Sequence, residues 1–502
     1  MQDWADAYFK DQMAAAQTRQ ELFPLVDGCP TCEQMPWISL FFDGTGNNKD
    51  LDGEKRKWSN IYRLQQGHLK DELRKVFTVY VAGPGTPLSP SDEGWLSALR
   101  DSGALGGGVG LGMDARLDKG FKDFNDALDS CQRVSRIDIA VFGFSRGATL
   151  ARAWVNLVLK KCEWVDGQPH WKMGNAKNGK SAPLHIRYLG IFDTVESVGL
   201  PGKNLSPSQC MTIPNVVERC VHYVSGHELR GAFPLTSVMD GDAPPVGMEI
   251  VWPGMHSDVG GGYRPKEQGR QDTLARLPLN AMRMDAYQSG VPFLTPYELL
   301  NGTPRMRKAY DFFEYPEELT ELYKHYCSFV SDGGSLDDSV RSHMALYYSW
   351  LKLRQNSEVS DVYAGVKEEH NDLQKELQSE LKDQQKYWHS VRFENTNRKV
   401  DADLAILKKN DLKAYLKKKN ENQQMYGGGF REVSLSDREL KYWNAWVGAT
   451  LPDEKITRFF DQFVHDSRAE FSFRSGDYLV PRDILQQTSC TVKEAERSAV
   501  SG

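Results

Sequence analysis

Ile137-Asp138-Ile139-Ala140-Val141-Phe142-Gly143-Phe144-Ser145-Arg146-Gly147-Ala148-Thr149-Leu150-Ala151-Arg152-Ala153-Trp154 carries the strongest architectural signal in the chain. A short β-prone run, Ile137 to Phe142, leads straight into a G-x-S-x-G pentapeptide. A segment of helical composition follows without a break. Strand, sharp turn and helix form the setting in which this pentapeptide acts as a nucleophile elbow. The flanking glycines permit the strained turn that lifts a serine oxygen clear of the sheet. The backbone N–H of Arg146, at the start of the helix, is then placed to receive a developing oxyanion. A serine sitting in an ordinary glycine turn is the competing reading.

Working outward, four further apolar runs end in turn residues: Trp37 to Phe42, Val76 to Val81, Ile186 to Phe192 and Met248 to Trp252. Such runs are the mark of buried parallel strands. Between them lie stretches with apolar residues three or four apart: Leu117, Phe121, Phe124 and Leu128 within 114–133, and Leu150, Trp154, Leu157 and Val158 within 148–161. Alternating strands and helices predict an α/β fold of the α/β-hydrolase type, with a mainly parallel sheet flanked by helices and an additional, mostly helical module. Functional groups in such sheets gather at the carboxyl ends of the strands.

A serine hydroxyl needs a base, and the base needs an orienting acid. In α/β-hydrolases the chain order is serine, acid, histidine. Asp193, closing the run Leu189-Gly190-Ile191-Phe192, is the expected acid; a strand-capping aspartate is its bland alternative. His256, in the turn-rich loop Pro253 to Tyr263, is the expected base. His222 and His227, near another apparent strand, read as core or loop histidines, and His465 is a rival that a distant segment could fold over the site. The Asp43-Gly44-Thr45-Gly46 turn is expected to supply the second oxyanion donor from the backbone of Gly44 or Thr45. Asp43 and Asp258 read as loop braces, although Asp258 could also bind a cation.

Length and composition set the frame. The chain has 502 residues, long enough for two or three units. A formal net charge of −6 lacks the basic excess of a general nucleic-acid binder. No apolar run approaches the ~18 residues of a membrane-spanning helix. The start Met1-Gln2-Asp3-Trp4 shows no basic region ahead of an apolar core, so no secretory signal peptide is expected. Cys29-Pro30-Thr31-Cys32 lacks the second pair that a zinc site wants and is expected to be structural or incidental. Neither metal nor cofactor is expected. Gly103 to Gly112 carries no phosphate-binding pattern in register and reads as a flexible loop ahead of a helix. Leu373, Leu377 and Leu381, then Leu404, Leu407, Leu412 and Leu416, suggest long amphipathic helices. The second carries Lys408, Lys409, Lys413, Lys417, Lys418 and Lys419, either a solvated face or one that docks on anionic lipid.

Four blocks together resemble the DUF2235 α/β-hydrolases, especially the Tle1-type lipase effectors of bacterial type VI secretion: Phe41-Phe42-Asp43-Gly44-Thr45-Gly46-Asn47-Asn48, Gly143-Phe144-Ser145-Arg146-Gly147-Ala148, Phe192-Asp193-Thr194-Val195 and His256-Ser257-Asp258-Val259-Gly260-Gly261-Gly262-Tyr263. Val464-His465-Asp466-Ser467-Arg468-Ala469 is similar to that family as well. The resemblance implies a phospholipase of A1 or A2 type whose triad falls on Ser145, Asp193 and His256. It also implies delivery into the periplasm of a rival bacterium, a secretion spike protein and a cognate immunity protein as partners, and membrane phospholipid as substrate. The alternatives are a soluble carboxylesterase or acyltransferase, and a dead hydrolase scaffold acting as a membrane-binding adaptor. The expected organisation is a helical lead-in over 1–35, a catalytic domain over 36–295, a mostly helical module over 296–460 and a C-terminal segment over 461–502 that packs back on the catalytic domain.

Overall fold

The computed structural model describes residues 32–88, 108–196, 211–239, 247–331, 334–356, 437–468 and 481–485. The lead-in before residue 32, most of the glycine-rich stretch and the lysine-bearing segment Lys408 to Lys419 lie outside the described residues. In chain order the strands are β1 (Trp37–Phe42), β2 (Val76–Val81), β3 (Ile137–Phe144), β4 (Glu163–Val165), β5 (Gln168–Lys172), β6 (Ser181–Phe192), β7 (Cys220–Ser225), β8 (Leu235–Thr236), β9 (Gly247–Trp252) and β10 (Ile484–Leu485). The helices are α1 (Asn60–Gln66), α2 (Gly108–Asp129), α3 (Arg146–Lys161), α4 (His256–Gly260), α5 (Arg276–Gln288), α6 (Pro296–Asn301), α7 (Pro304–Tyr310), α8 (Glu317–Cys327), α9 (Leu336–Asn356), α10 (Asp437–Gly448) and α11 (Glu454–Phe463).

Six strands run parallel in the order β2-β1-β3-β6-β7-β9. The hairpin β4–β5 adds antiparallel to the first part of β6. The fold is that of an α/β-hydrolase-like sheet between helical layers. From β1 the chain moves to one neighbour, β2, and then returns to the other side as β3. That reversal opens a crevice beyond the carboxyl ends of β1 and β3, where open α/β sheets bind ligands.

Alternation along β1 shows why both faces are covered. Ile38, Leu40 and Phe42 join an apolar cluster with Leu117 and Phe124 of α2 and Trp154 of α3. Trp37 and Phe41 point the other way, into a cluster with Phe142, Tyr188 and the helices from α5 onward. Side chains of α8, α9, α10 and α11 belong to this same second cluster, so the helical region shares its core with the sheet. Helix α11 is started by Asp453, whose carboxylate accepts from Ile456 N–H at 2.8 Å. Its buried stripe Ile456, Phe459, Phe460 and Phe463 delivers the chain to His465.

Two expectations change. Helix α2 begins at Gly108, inside the glycine-rich stretch, so the described end of that stretch is helical rather than loop. Cys32 is disulfide-bonded, which corrects the incidental reading of its C-x-x-C. Cys131, Cys162 and Cys220 are free thiols.

Candidate active site

Ser145 occupies the turn between β3 and α3 with φ 57° and ψ −127°, a conformation L-residues avoid unless the surroundings enforce it. The enforcement is visible on both sides. Ser145 N–H donates to Phe192 O at 3.0 Å, and Val195 N–H donates to Ser145 O at 3.3 Å, tying the turn to the end of β6. A Cβ on Gly147 would lie 2.3 Å from both Phe42 O and Asp43 O, and one on Gly143 would lie 2.5 Å from Gly147 O. The helix therefore enters the sheet backbone against backbone, and only glycine allows that approach.

The register that pairs Phe144 with Phe192 puts Asp193 beside Ser145 at the same edge of the sheet. Asp193 also has a positive φ, 47°. Its Oδ2 is hydrogen-bonded to His256 Nδ1. His256 stands at the start of α4, beyond β9, with its ring 4.6 Å from that of Phe144 and 5.3 Å from that of Phe233. Ser145 Oγ and His256 Nε2 make no hydrogen bond among the described residues. Apolar rings around the imidazole carry an electrostatic consequence: burial holds the His256 pKa below the ordinary histidine value despite the opposing pull of Asp193. The neutral base is thus favoured.

Sequence reasoning missed the back of this pair. Asp193 Oδ1 accepts from Ser225 N–H at 2.8 Å and from the Arg482 guanidinium. Burial alone would raise the carboxyl's pKa; Arg482 and His256 outweigh it and hold the group well below the usual carboxylate range. Arg482 arrives on the segment ending in β10, which pairs parallel with β8. The segment is held further by Arg482 N–H to Glu228 O at 3.1 Å and Arg438 Nη2 to Arg482 O at 3.0 Å. Glu228 was missed as well. Its carboxylate accepts from His256 N–H at 3.2 Å, from Arg230 Nε at 2.8 Å and from Ser467 Oγ at 3.0 Å. Burial would raise its pKa, but Arg230 overrides that and brings it to about 2. The one sequence signal for Glu228 was its place one residue after His227, past an apparent strand.

The loop after β1 corrects one donor. Gly44 N–H turns inward and donates to Asp43 Oδ1 at 2.8 Å, so it is not free for an oxyanion. Thr45 N–H has no acceptor among the described residues, nor does Arg146 N–H, whose position in the first turn of α3 leaves it unpaired by geometry. Asp43 is the loop brace: its Oδ2 accepts from Tyr80 Oη at 2.5 Å, and Ser59 adds a further hydrogen bond. Burial pushes its pKa up to about 6 against these bonds. A Cβ on Gly83 would lie 1.7 Å from Gly44 O, so the loop rests directly on the backbone after β2.

The other histidines are engaged elsewhere. His222 Nδ1 meets Glu249 Oε1 at 2.6 Å, while its Nε2 accepts from Thr194 N–H at 3.1 Å. His227 Nδ1 accepts from Gly254 N–H at 2.9 Å. His465 Nδ1 lies 2.6 Å from Asp258 Oδ1, its ring stacked on Tyr263 at 3.9 Å. Asp258 also accepts from Met255 N–H and His465 N–H, each at 3.0 Å. The structure thus pairs Asp258 with His465 and brings His256, not His465, to Asp193. Among the described residues no three His, Cys, Asp or Glu side chains are grouped to hold a metal ion. No described helix is long and apolar enough to cross a membrane.

Residues 37–162 and 159–285 match the family model described as T6SS, Phospholipase effector Tle1-like, catalytic domain. No curated protein matches the chain. Among solved structures, the crystal structure of an uncharacterized protein from Pseudomonas aeruginosa superposes with a TM-score of 0.58 at 21% identity, over 95% of this chain and 82% of that one. At this identity the likeness speaks for the fold. A structure of the Tle1 effector bound to the VgrG spike from the Type 6 secretion system gives a TM-score of 0.41 at 17% identity, over 62% of this chain and 84% of that one. Through residues 37–285, the chain belongs to the Tle1-like catalytic-domain family of type VI secretion phospholipase effectors.

Proposed function

We propose that this protein is an antibacterial phospholipase that hydrolyses acyl esters of membrane glycerophospholipids, with A1 or A2 regiochemistry, through an acyl-enzyme on Ser145. The observation that carries the reading is the strained Ser145 turn, set in register beside an Asp193 that holds His256 by its Nδ1. Ser145 Oγ attacks the ester carbonyl carbon while His256 Nε2 takes its proton. The serine–histidine contact closes as substrate enters, since such bonds are often long before binding. The tetrahedral oxyanion sits between the N–H groups of Arg146 and Thr45. Collapse breaks the bond to the glycerol oxygen, which leaves with the proton from His256. That leaving group is the lysophospholipid; water, deprotonated by His256, then attacks the acyl carbon, and collapse releases the fatty acid while His256 returns the proton to Ser145 Oγ. Asp193 stays ionised throughout and stabilises the imidazolium.

Family membership supports lipid as the substrate and type VI delivery as the route; the target-cell periplasm is the proposed place of action. A secretion spike protein and a cognate immunity protein are the proposed partners. Mass spectrometry of products from phospholipids carrying different chains at sn-1 and sn-2 tests the reading. The wild type releases fatty acid and lysophospholipid, and Ser145→Ala loses this by on the order of 10⁴-fold or more. Wild-type rates in Ser145→Ala overturn it. Activity confined to short soluble esters points to a carboxylesterase instead.

A further inference from the structure

We infer that the Arg146 side chain forms a subsite for the phosphodiester anion of the lipid substrate, beside the nucleophile. The inference rests on the phospholipase reading above and deepens it. Three observations carry it.

First, Arg146 is a cation without a counter-ion among the described residues. Its guanidinium makes no hydrogen bond and no ion pair among the described residues, and its Nε is shielded from solvent with no acceptor. Other deeply buried arginines are each engaged. Arg63 reaches Asp272, Arg116 donates to the carbonyls of Ala82, Gly83 and Thr86, and Arg152 donates to those of Met211, Thr236 and Ser237. A partly buried charge with nothing opposite it is costly. An anion that arrives with substrate removes the cost. Burial pulls the Arg146 pKa down to about 10, so the group still carries its charge at neutral pH.

Second, its place in the fold aims it at the crevice. Arg146 is the first residue of α3, directly after Ser145. Side chains on a helix lean toward its N-terminus, which here faces the carboxyl ends of the strands. Consecutive Cα atoms are about 3.8 Å apart, so the far end of this side chain can reach a group a few bonds from the ester that Ser145 attacks. In a glycerophospholipid that group is the phosphodiester.

Third, the chemistry fits. The planar guanidinium fork matches two phosphate oxygens at once, and the positive end of the 16-residue α3 adds to the attraction. Neutral glycerides lack this partner, so the same residue discriminates between lipid classes.

The test compares phosphatidylcholine with diacylglycerol of identical acyl chains, each in neutral-detergent mixed micelles, for wild type, Arg146→Gln and Arg146→Lys. The expected result for Arg146→Gln is a fall of roughly 10- to 100-fold in the ratio of kcat/KM on phosphatidylcholine to that on diacylglycerol, as for loss of a charge-assisted contact. The loss appears chiefly in KM, because the contact is made equally in ground and transition states. Arg146→Lys retains more of the ratio than Arg146→Gln. A ratio unchanged within about twofold, with both substrates affected alike, makes Arg146 merely structural and overturns the inference. Strong competition by inorganic phosphate at matched ionic strength marks a free-anion site and also overturns it. Wild-type protein that cleaves diacylglycerol but not phosphatidylcholine refutes the phospholipase reading itself.

Discussion

Replacing Arg482 by methionine removes the charge behind the Asp193–His256 pair while keeping most of the aliphatic bulk. In the native protein Asp193 is fully buried and is held by three donors: His256, Arg482 and Ser225 N–H. Removing one partner of a buried ion pair costs about 3–5 kcal/mol, because the other charge is left behind. Ser225 N–H and His256 remain here, which places the expected loss at the lower end, about 3 kcal/mol. It is read as a lower urea midpoint at unchanged slope. The pH profile separates a positioning role from simple loss of stability. Without Arg482 the Asp193 charge is opposed by His256 alone, which favours imidazolium and raises the His256 pKa. Imidazolium cannot accept the serine proton, so the acid limb of kcat/KM moves to higher pH and the variant loses more at pH 6 than at pH 8. Arg482→Lys keeps the charge and moves the limb less. An Arg482→Met protein with native stability and an unmoved acid limb refutes the reasoning.

Two other expectations follow from the same geometry. His256→Ala lowers kcat on the order of 10⁴-fold or more. His465→Ala costs stability by about 1.5–3 kcal/mol, since buried Asp258 loses a side-chain hydrogen-bond partner, with a far smaller fall in kcat; equal loss of kcat in two folded variants reverses the assignment of the base. Burial brings the His343 pKa to about 3, below the ordinary histidine value of 6.5, so the folded protein resists a proton that the unfolded chain accepts. Stability contributed by its neutral form is complete above about pH 6.5 and is lost as pH falls toward 3, about 2 kcal/mol by pH 5. Depressed carboxylates such as Glu228 act only below the ordinary carboxylate range, so a urea midpoint that fell between pH 7 and pH 5 in the wild type and less in His343→Gln reports the histidine. A midpoint independent of pH over that interval contradicts it.

The parts of the fold legible in the sequence are those set by local pattern. The runs beginning at Trp37, Val76 and Ile137 are β1, β2 and β3 because each is mostly apolar and β-prone, with a single polar residue, and is stopped by turn residues. The strand read from Ile186 starts five residues earlier, at Ser181, because its first part is an edge paired with a short hairpin. That hairpin, Glu163 to Lys172, was not foreseen: its first strand is three residues long and exposes Trp164 and Val165, and its second buries only Pro169 and Trp171. Arg482 was out of reach for another reason. It stands 289 positions from Asp193 and acts through β10, a strand of two residues with no periodic signal. The choice between Gly44 and Thr45 as donor depended on one rotamer of Asp43, which sequence does not specify.

Phe144, the variable second position of the pentapeptide, has a consequence for how the site can change over mutational time. A Cβ on Gly44 would meet the Phe144 ring at 2.5 Å, and one on Gly260 would meet it at 1.9 Å, while His256 lies against the same ring. One aromatic side chain thus gauges the separation of the Thr45 loop, the histidine loop and the serine turn. Substitutions at Gly44, Gly260 and Phe144 are therefore coupled rather than independent. A larger residue at either glycine becomes tolerable only in a chain that has already given up the phenyl ring, and its cost depends on the order in which the changes are made.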